Sequence, residues 1–212
     1  MTELTEHPHL VKVCGVTSVE DAAIVLDAGA DALGVVLATS PREVDVERAA
    51  AITAFVGERA VRVGVFRGRA DDVIRHALDD VALDAVQLHD PLSADLAQEL
   101  RERGLAVITV LAIGSSTRGE VDDERADAIL VDGPSPGSGR AHSWDVLARR
   151  RFTHPLIVAG GLNAANVARV LADTDAWGVD AASGTEASPG RKDARATRDF
   201  VRAARRWFER EE

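Results

Sequence analysis

Eight short apolar, β-branched runs recur along this chain, and stretches with helical spacing separate them. The runs are Leu10–Val16, Ala32–Ala38, Val61–Phe66, Ala85–His89, Ala106–Ile113, Ala128–Asp132, Pro155–Gly160 and Gly178–Ala182. Near-continuous Val, Ile and Leu at strand length is the pattern of strands buried on both faces. Between them, Val19–Ala28, Val46–Val56, Asp71–Asp80, Ser93–Arg103, Asn163–Leu171 and Ala194–Phe208 place Ala and Leu at helical intervals among Asp, Glu and Arg. A strict strand-then-helix order makes neighbouring strands parallel, because each return crosses over a helix. Eight such units predict an α/β protein, a single-domain (β/α)8 TIM barrel over residues 1–212. Residues 1–9 are expected to form a mobile N-terminal extension. The fifth unit is the weakest: Ser115–Arg125 is polar and Gly-containing, which predicts a shortened helix. The tract from Gly133 to Gly139, Gly-Pro-Ser-Pro-Gly-Ser-Gly, reads as a mobile active-site loop.

Composition narrows the partners. A length of 212 residues with 46% apolar side chains supports one large core. The formal charge of −10, from 35 acidic against 25 basic side chains, repels nucleic-acid backbones and anionic membranes, so neither is expected as a partner. An anionic ligand would have to be held by local groups. The lone Cys14 excludes an internal disulfide and any multi-cysteine metal site, and points to a reducing cytoplasm. No run approaches the roughly 18 to 20 apolar residues of a membrane span, and the first residues lack a basic-then-apolar signal segment.

Two glycine-rich strand ends carry the first functional signal: Leu156-Ile-Val-Ala-Gly-Gly161-Leu-Asn163 and Gly178-Val-Asp-Ala-Ala-Ser-Gly184. Glycine at a strand-to-helix turn exposes backbone amides that attract anions without a cationic side chain. The loops after the seventh and eighth strands are the recurrent phosphate site of such barrels. A phosphorylated small molecule is therefore expected as substrate. Asn163 is expected to cap the helix that follows.

The second signal is polar residues at inward positions. Side chains alternate along a strand, so if Val11 and Val13 pack under helices, Lys12 and Cys14 point into the barrel. The same parity turns Gln87, His89, Asp132 and Asp180 inward. Unpartnered buried polar groups cost about 1 to 3 kcal/mol each, so several converging near one rim are more economically a site than core. Simpler explanations exist for each residue. Cys14 can be a small buried hydrophobe, Asp132 a turn former before Gly133, and Lys12, His89 and Asp180 an internal polar network.

In order along the chain, Lys12-Val-Cys-Gly-Val-Thr17 with Asp21, Ser40-Pro-Arg42, Val63-Gly-Val-Phe66, Val86-Gln-Leu-His89, Ile129-Leu-Val-Asp132, Pro136-Gly-Ser-Gly139 with Trp144, Ala159-Gly-Gly-Leu-Asn163 and Gly178-Val-Asp-Ala-Ala-Ser-Gly184, followed by Glu186 and Lys192, resemble the phosphoribosylanthranilate isomerase family. The similarity runs from Val11 to about Phe200. That resemblance implies an Amadori rearrangement of a phosphoribosylated anthranilate, in tryptophan biosynthesis, without metal or organic cofactor. It implies Cys14 as general base and Asp132 as general acid. Arg42, Lys12, His89 and Asp180 would contact substrate, Arg42 through the anthranilate moiety. Gly137, Gly139, Gly160, Gly161, Ser183 and Gly184 would surround the phosphate. Thr109 stands where the family usually has a basic residue, Asp90 where glycine is common and Ala182 where serine is frequent. The alternatives are a non-catalytic or diverged phosphosugar-binding barrel and a paralogue acting on a modified anthranilate. Either a monomer or a homodimer is compatible with the sequence.

Overall fold

The computed structural model describes residues 3–112, 124–133, 147 and 151–210. Eight parallel strands close on themselves in sequence order. They are β1 (Leu10–Cys14), β2 (Ala32–Val36), β3 (Val61–Phe66), β4 (Ala85–Leu88), β5 (Ala106–Ala112), β6 (Ala128–Asp132), β7 (Leu156–Ala159) and β8 (Gly178–Ala181). The described helices are α1 (Val19–Asp27), α2 (Val46–Val56), α3 (Asp71–Asp80), α4 (Ala94–Glu102), α5 (Val167–Thr174) and α6 (Ala194–Phe208). The (β/α)8 architecture read from the sequence is the one observed. The short helix expected over 115–125 lies outside the described residues except for its last two. The loop expected over 133–139 lies outside them except for Gly133.

Strand alternation divides the core into two shells. Val11, Val13, Leu33, Val86, Ile129, Val158 and Val179 face outward and pack under the helices with Ile52, Leu100, Leu171 and Phe200. Leu10, Cys14, Ala32, Val63, Ala85, Ile108, Leu130 and Ile157 face inward and fill the barrel. Many of the inward residues are small, which leaves room at the mouth for longer polar side chains.

The helices start where side chains can take up free amides. Ser18 caps α1 by accepting from the Asp21 amide, Asp45 caps α2 at Arg48, Ser93 caps α4 at Leu96, and Asp193 caps α6 at Ala196. Asn163 does not cap α5. Its Oδ1 accepts from the Ala165 amide at 2.8 Å, while Asn166 Oδ1 accepts from the Asn163 amide at 2.8 Å. This side-chain-bonded turn delays the helix to Val167. A short hairpin absent from the sequence reading, β9 (Glu186–Ser188) and β10 (Arg191–Lys192), lies between β8 and α6.

The N-terminal segment is seated on the barrel rather than extended away from it. Glu3–Glu6 form a 3-10 turn, and Leu4 is fully buried among the inward residues. His9 stacks on Phe208 with ring centroids 4.2 Å apart, and Trp177 Nε1 donates to the His7 carbonyl at 3.3 Å. An apolar side chain thus closes the floor opposite the mouth.

An aspartate precedes β2, β4 and β6, each followed by alanine, and each clamps the start of the preceding strand. Asp31, Asp84 and Asp127 accept from the amides of Val11, Arg62 and Val107 at 2.8, 2.7 and 2.8 Å. Their own amides donate back to the carbonyls of those residues. Each clamp satisfies the amide of the strand's second residue, which the parallel ladder leaves over. Replacing Asp127 by Ala should therefore cost about 1 to 3 kcal/mol in urea unfolding, with Asp127→Asn costing less. Equal stability of Asp127→Ala and the unmodified chain would show that the clamp contributes nothing.

Candidate active site

At the C-terminal ends of the strands lies a cleft of about 270 Å³. Cys14, His89, Asp132 and Asp180 line it from β1, β4, β6 and β8, Arg42 reaches it from the loop after β2, and Gly160, Gly161 and Ser183 border it from the loops after β7 and β8. A larger cleft, about 520 Å³, opens near Pro155 and Trp177 at the opposite face and holds none of the expected residues. Size is a weaker guide than convergent polar groups, and the smaller cleft is the candidate site.

Its floor is charged. Lys12 and Asp180 are direct partners in the β1–β8 register, and Lys12 Nζ sits 2.9 Å from Asp180 Oδ2. Both are buried, so Lys12 lies beneath the cleft rather than on its surface. Burial alone would discharge the ammonium, but Asp180 and Cys14 together outweigh it and hold the Lys12 pKa above its ordinary value. Among the described residues, Lys12 Nζ, Asp180 Oδ1 and Gln87 Oε1 lack a well-aligned hydrogen-bond partner. Buried polar atoms are normally satisfied, and Asp180 Oδ1 and Gln87 Oε1, on two residues that line the cleft, suit a polar ligand.

Above that pair sits the thiol of Cys14. Gly34 is its partner on β2, and a Cβ there would stand 2.8 Å from Sγ, so glycine leaves the sulfur its place. Burial pushes the Cys14 pKa up; Lys12 opposes this and Asp180 adds to it. Asp132 is exposed at the rim of β6, yet the cleft walls remove enough water to raise its pKa, and the Asp180 charge raises it further. His89 moves the other way: burial, Arg67 and Lys12 all lower its pKa. A neutral His89 ring can therefore accept at Nε2 from the Gln87 amide nitrogen, 3.3 Å away.

Arg42 is held by a partner that sequence patterning did not pair with it. Its Nε and Nη2 donate to Glu186 Oε1 and Oε2 at 2.6 and 2.8 Å. Lys192 Nζ joins the same carboxylate at 3.4 Å and donates to the Cys14 carbonyl at 2.7 Å and to Thr185 Oγ1 at 3.1 Å. Through these bonds the β9–β10 hairpin fixes the end of β1, and with it the thiol.

The glycines at the β7 and β8 ends permit close backbone approach. Gly160 has φ of +103°, and a Cβ there would meet the Gly133 backbone at 2.5 Å; one on Gly184 would meet the Leu162 carbonyl oxygen at 1.9 Å. Among the described residues, no backbone carbonyl outside the regular elements accepts from the Gly160 or Gly161 amide. Gly184 packs under this rim, whereas Gly137 and Gly139 lie outside the described residues. No group of three His, Cys, Asp or Glu among the described residues is arranged to hold a metal ion.

A family model for N-(5'-phosphoribosyl)anthranilate isomerase matches residues 11–203. The chain belongs to that family. The isomerase of Rubrobacter xylanophilus is 39% identical over 203 residues, covering 92% of this chain and 98% of its own. Among solved structures, TrpF from Jonesia denitrificans superposes with a TM-score of 0.83 at 32% identity, covering 94% and 98% of the two chains. A phosphoribosyl anthranilate isomerase in complex with reduced 1-(o-carboxyphenylamino)-1-deoxyribulose 5-phosphate gives a TM-score of 0.75 at 31% identity, covering 93% and 98%.

For this member of the isomerase family, sequence reading missed Arg67, and it named Glu186 and Lys192 only as part of the resemblance, without their contact. Arg67 was within reach of the alternation argument, since Val61, Val63 and Val65 face inward and position 67 continues their parity. The Glu186–Lys192 contact depends on a hairpin too short to leave a hydrophobic period. Because the sequence contains one cysteine, alkylation reads Cys14 alone. Lys12→Met removes the cation that favours the thiolate, so the pH midpoint of Cys14 alkylation should rise in the folded variant. A midpoint that stays or falls would contradict the electrostatic role given to Lys12.

Proposed function

We propose that this chain is a phosphoribosylanthranilate isomerase of tryptophan biosynthesis, converting N-(5-phosphoribosyl)anthranilate to 1-(2-carboxyphenylamino)-1-deoxyribulose 5-phosphate. The observation that carries the reading is the meeting of Cys14 and Asp132 in one cleft that Gly160, Gly161 and Ser183 border. The phosphate would rest on that glycine-lined side, which leaves the sugar carbons over the thiol and carboxyl.

In this reading Asp132 protonates the furanose ring oxygen as the C1–oxygen bond breaks, giving a protonated Schiff base. That C=N acidifies the proton on C2, which Cys14 removes as thiolate. Ketonisation then delivers a proton to C1 and releases the one on the C2 hydroxyl, which restores the starting ionisation. Lys12 beneath the sulfur favours the thiolate, and Asp180 favours retention of the proton on Asp132. Two groups of opposite protonation on rigid strand ends are what this chemistry requires. Lys12 and Asp180 would act from the floor, and His89 and Arg42 from the walls. The reading fits a monomer or a homodimer. No described helix is long and apolar enough to cross a membrane, and a working thiol suits a cytoplasmic enzyme.

The protein should abolish the fluorescence of freshly prepared phosphoribosylanthranilate, and Cys14→Ser or Asp132→Asn should lower kcat about a hundredfold or more. The active form of the pair carries one proton, held on Asp132. Below the carboxyl pKa the thiolate is lost to a second proton; above the thiol pKa the acid is lost. The kcat/KM profile should therefore be a bell, its acid limb above the ordinary aspartate range and its alkaline limb above the ordinary cysteine range. Undiminished turnover in both variants, or a profile with one limb, would remove the two residues from these roles.

A further inference from the structure

We propose that Lys192 is a positioning residue for the isomerisation: its buried ammonium stands in for the next rung between β1 and β8, sets the spacing of the Cys14 thiol from the turn at Ser183, and is a second cation beside Lys12 acting on that thiol. The inference rests on the isomerase reading above and names a residue that acts on the base of that reaction through the backbone. The β1–β8 register ends at Val13 with Ala181. The next residues, Cys14 and Ala182, both turn their carbonyls to Lys192 Nζ, which donates to them at 2.7 and 3.2 Å. Cys14, Ala182 and Ser183 line the same cleft. One side chain from the β9–β10 hairpin therefore spans the two strand ends that carry the thiol and the Ser183 turn.

The surroundings of Lys192 hold it in that place. Its side chain is fully buried. Its amide donates to Asp21 Oδ1 at 2.8 Å, while Asp21 Oδ2 accepts from the Thr17 amide at 3.3 Å, which ties the hairpin to the loop after β1. Among the described residues, four oxygens surround Nζ: the two carbonyls, Thr185 Oγ1 at 3.1 Å and Glu186 Oε1 at 3.4 Å. Thr185 gives its own proton to the Ala182 carbonyl at 2.8 Å, so all four offer lone pairs, the setting of an ammonium with three donors. Burial draws the Lys192 pKa down, and Glu186 and Cys14 oppose that. The same charge reaches the sulfur: burial raises the Cys14 pKa, Lys12 opposes it, Asp180 adds to it, and Lys192 joins Lys12 against it. A misplacement of about 1 Å can cost about a hundredfold in rate, so a slackened rung acts on turnover before it acts on binding.

The test uses the full chain with Lys192→Met, which keeps an apolar stem and loses the ammonium, and Lys192→Arg, which keeps charge and donors. Turnover of phosphoribosylanthranilate is measured, and alkylation of Cys14 by iodoacetamide is followed against pH. Lys192→Met should lower kcat on the order of tenfold or more, with KM changed far less, and should move the alkylation midpoint up. Lys192→Arg should recover part of both. A Lys192→Met chain that loses stability in urea, while its folded form keeps the kcat and alkylation midpoint of the unmodified protein, would show a merely structural lysine and overturn the proposal. A rise in KM at unchanged kcat would do the same. If Lys192→Met does not fold, Lys192→Gln removes the charge and keeps an N–H donor, and an alkylation midpoint that stays put in that variant overturns the claim. Failure of the unmodified protein to turn over the substrate would instead bring down the isomerase reading, and the alkylation midpoint, read without substrate, would still report whether Lys192 acts on the thiol.

Discussion

Two opposite charges buried inside a closed barrel govern this molecule. Lys12 and Asp180 meet at 2.9 Å across the seam where the last strand rejoins the first. Removing one partner of such a buried pair typically costs about 3 to 5 kcal/mol, because the other charge is left unpaired. The pair thus holds β8 in register with β1 at the point where closure is needed. Its charges also reach the groups above it: Lys12 works against the burial that raises the Cys14 pKa, and Asp180 adds to the burial that raises the Asp132 pKa.

The mouth is built as two facing halves. On the β7–β8 side, glycines allow the loops to approach within backbone contact, and Gly160 and Gly161 border the cleft. On the β2–β4 side stand the cations, Arg42 fixed by Glu186 and Arg67 without a described partner. The β9–β10 hairpin ties the halves together, since Lys192 bonds the Cys14 carbonyl at the end of β1 and Glu186 clasps Arg42 from the loop after β2. The thiol is therefore positioned from below by Gly34 and Lys12 and from the side by Lys192.

The strand pattern was legible because most strands are buried on both faces, and parity alone turned Lys12, Cys14, Gln87, His89, Asp132 and Asp180 inward. Helix starts were legible where Ser18, Asp45, Ser93 and Asp193 precede an amphipathic run. They were misread at Asn163, where Asn163 Oδ1 accepts from the Ala165 amide, Asn166 Oδ1 accepts from the Asn163 amide, and α5 is postponed to Val167. The seating of residues 3–9 rests on the burial of Leu4 and the stacking of His9 on Phe208, a contact between chain ends that no local pattern announces. Glu186 and Lys192 matter because of a two-residue strand, which carries no period. The expected contribution of Gly137 and Gly139 belongs to a stretch outside the described residues.

The most direct measurement is a crystal structure of this protein with the reduced product analogue, 1-(o-carboxyphenylamino)-1-deoxyribulose 5-phosphate in reduced form. The phosphate should lie against Gly160, Gly161 and Ser183, with Cys14 Sγ beside C2 of the sugar chain and the Asp132 carboxyl within hydrogen-bond reach of the former ring oxygen. A ligand whose phosphate rests elsewhere, or whose sugar carbons are walled off from the Cys14 sulfur, would contradict the arrangement from which the chemistry follows.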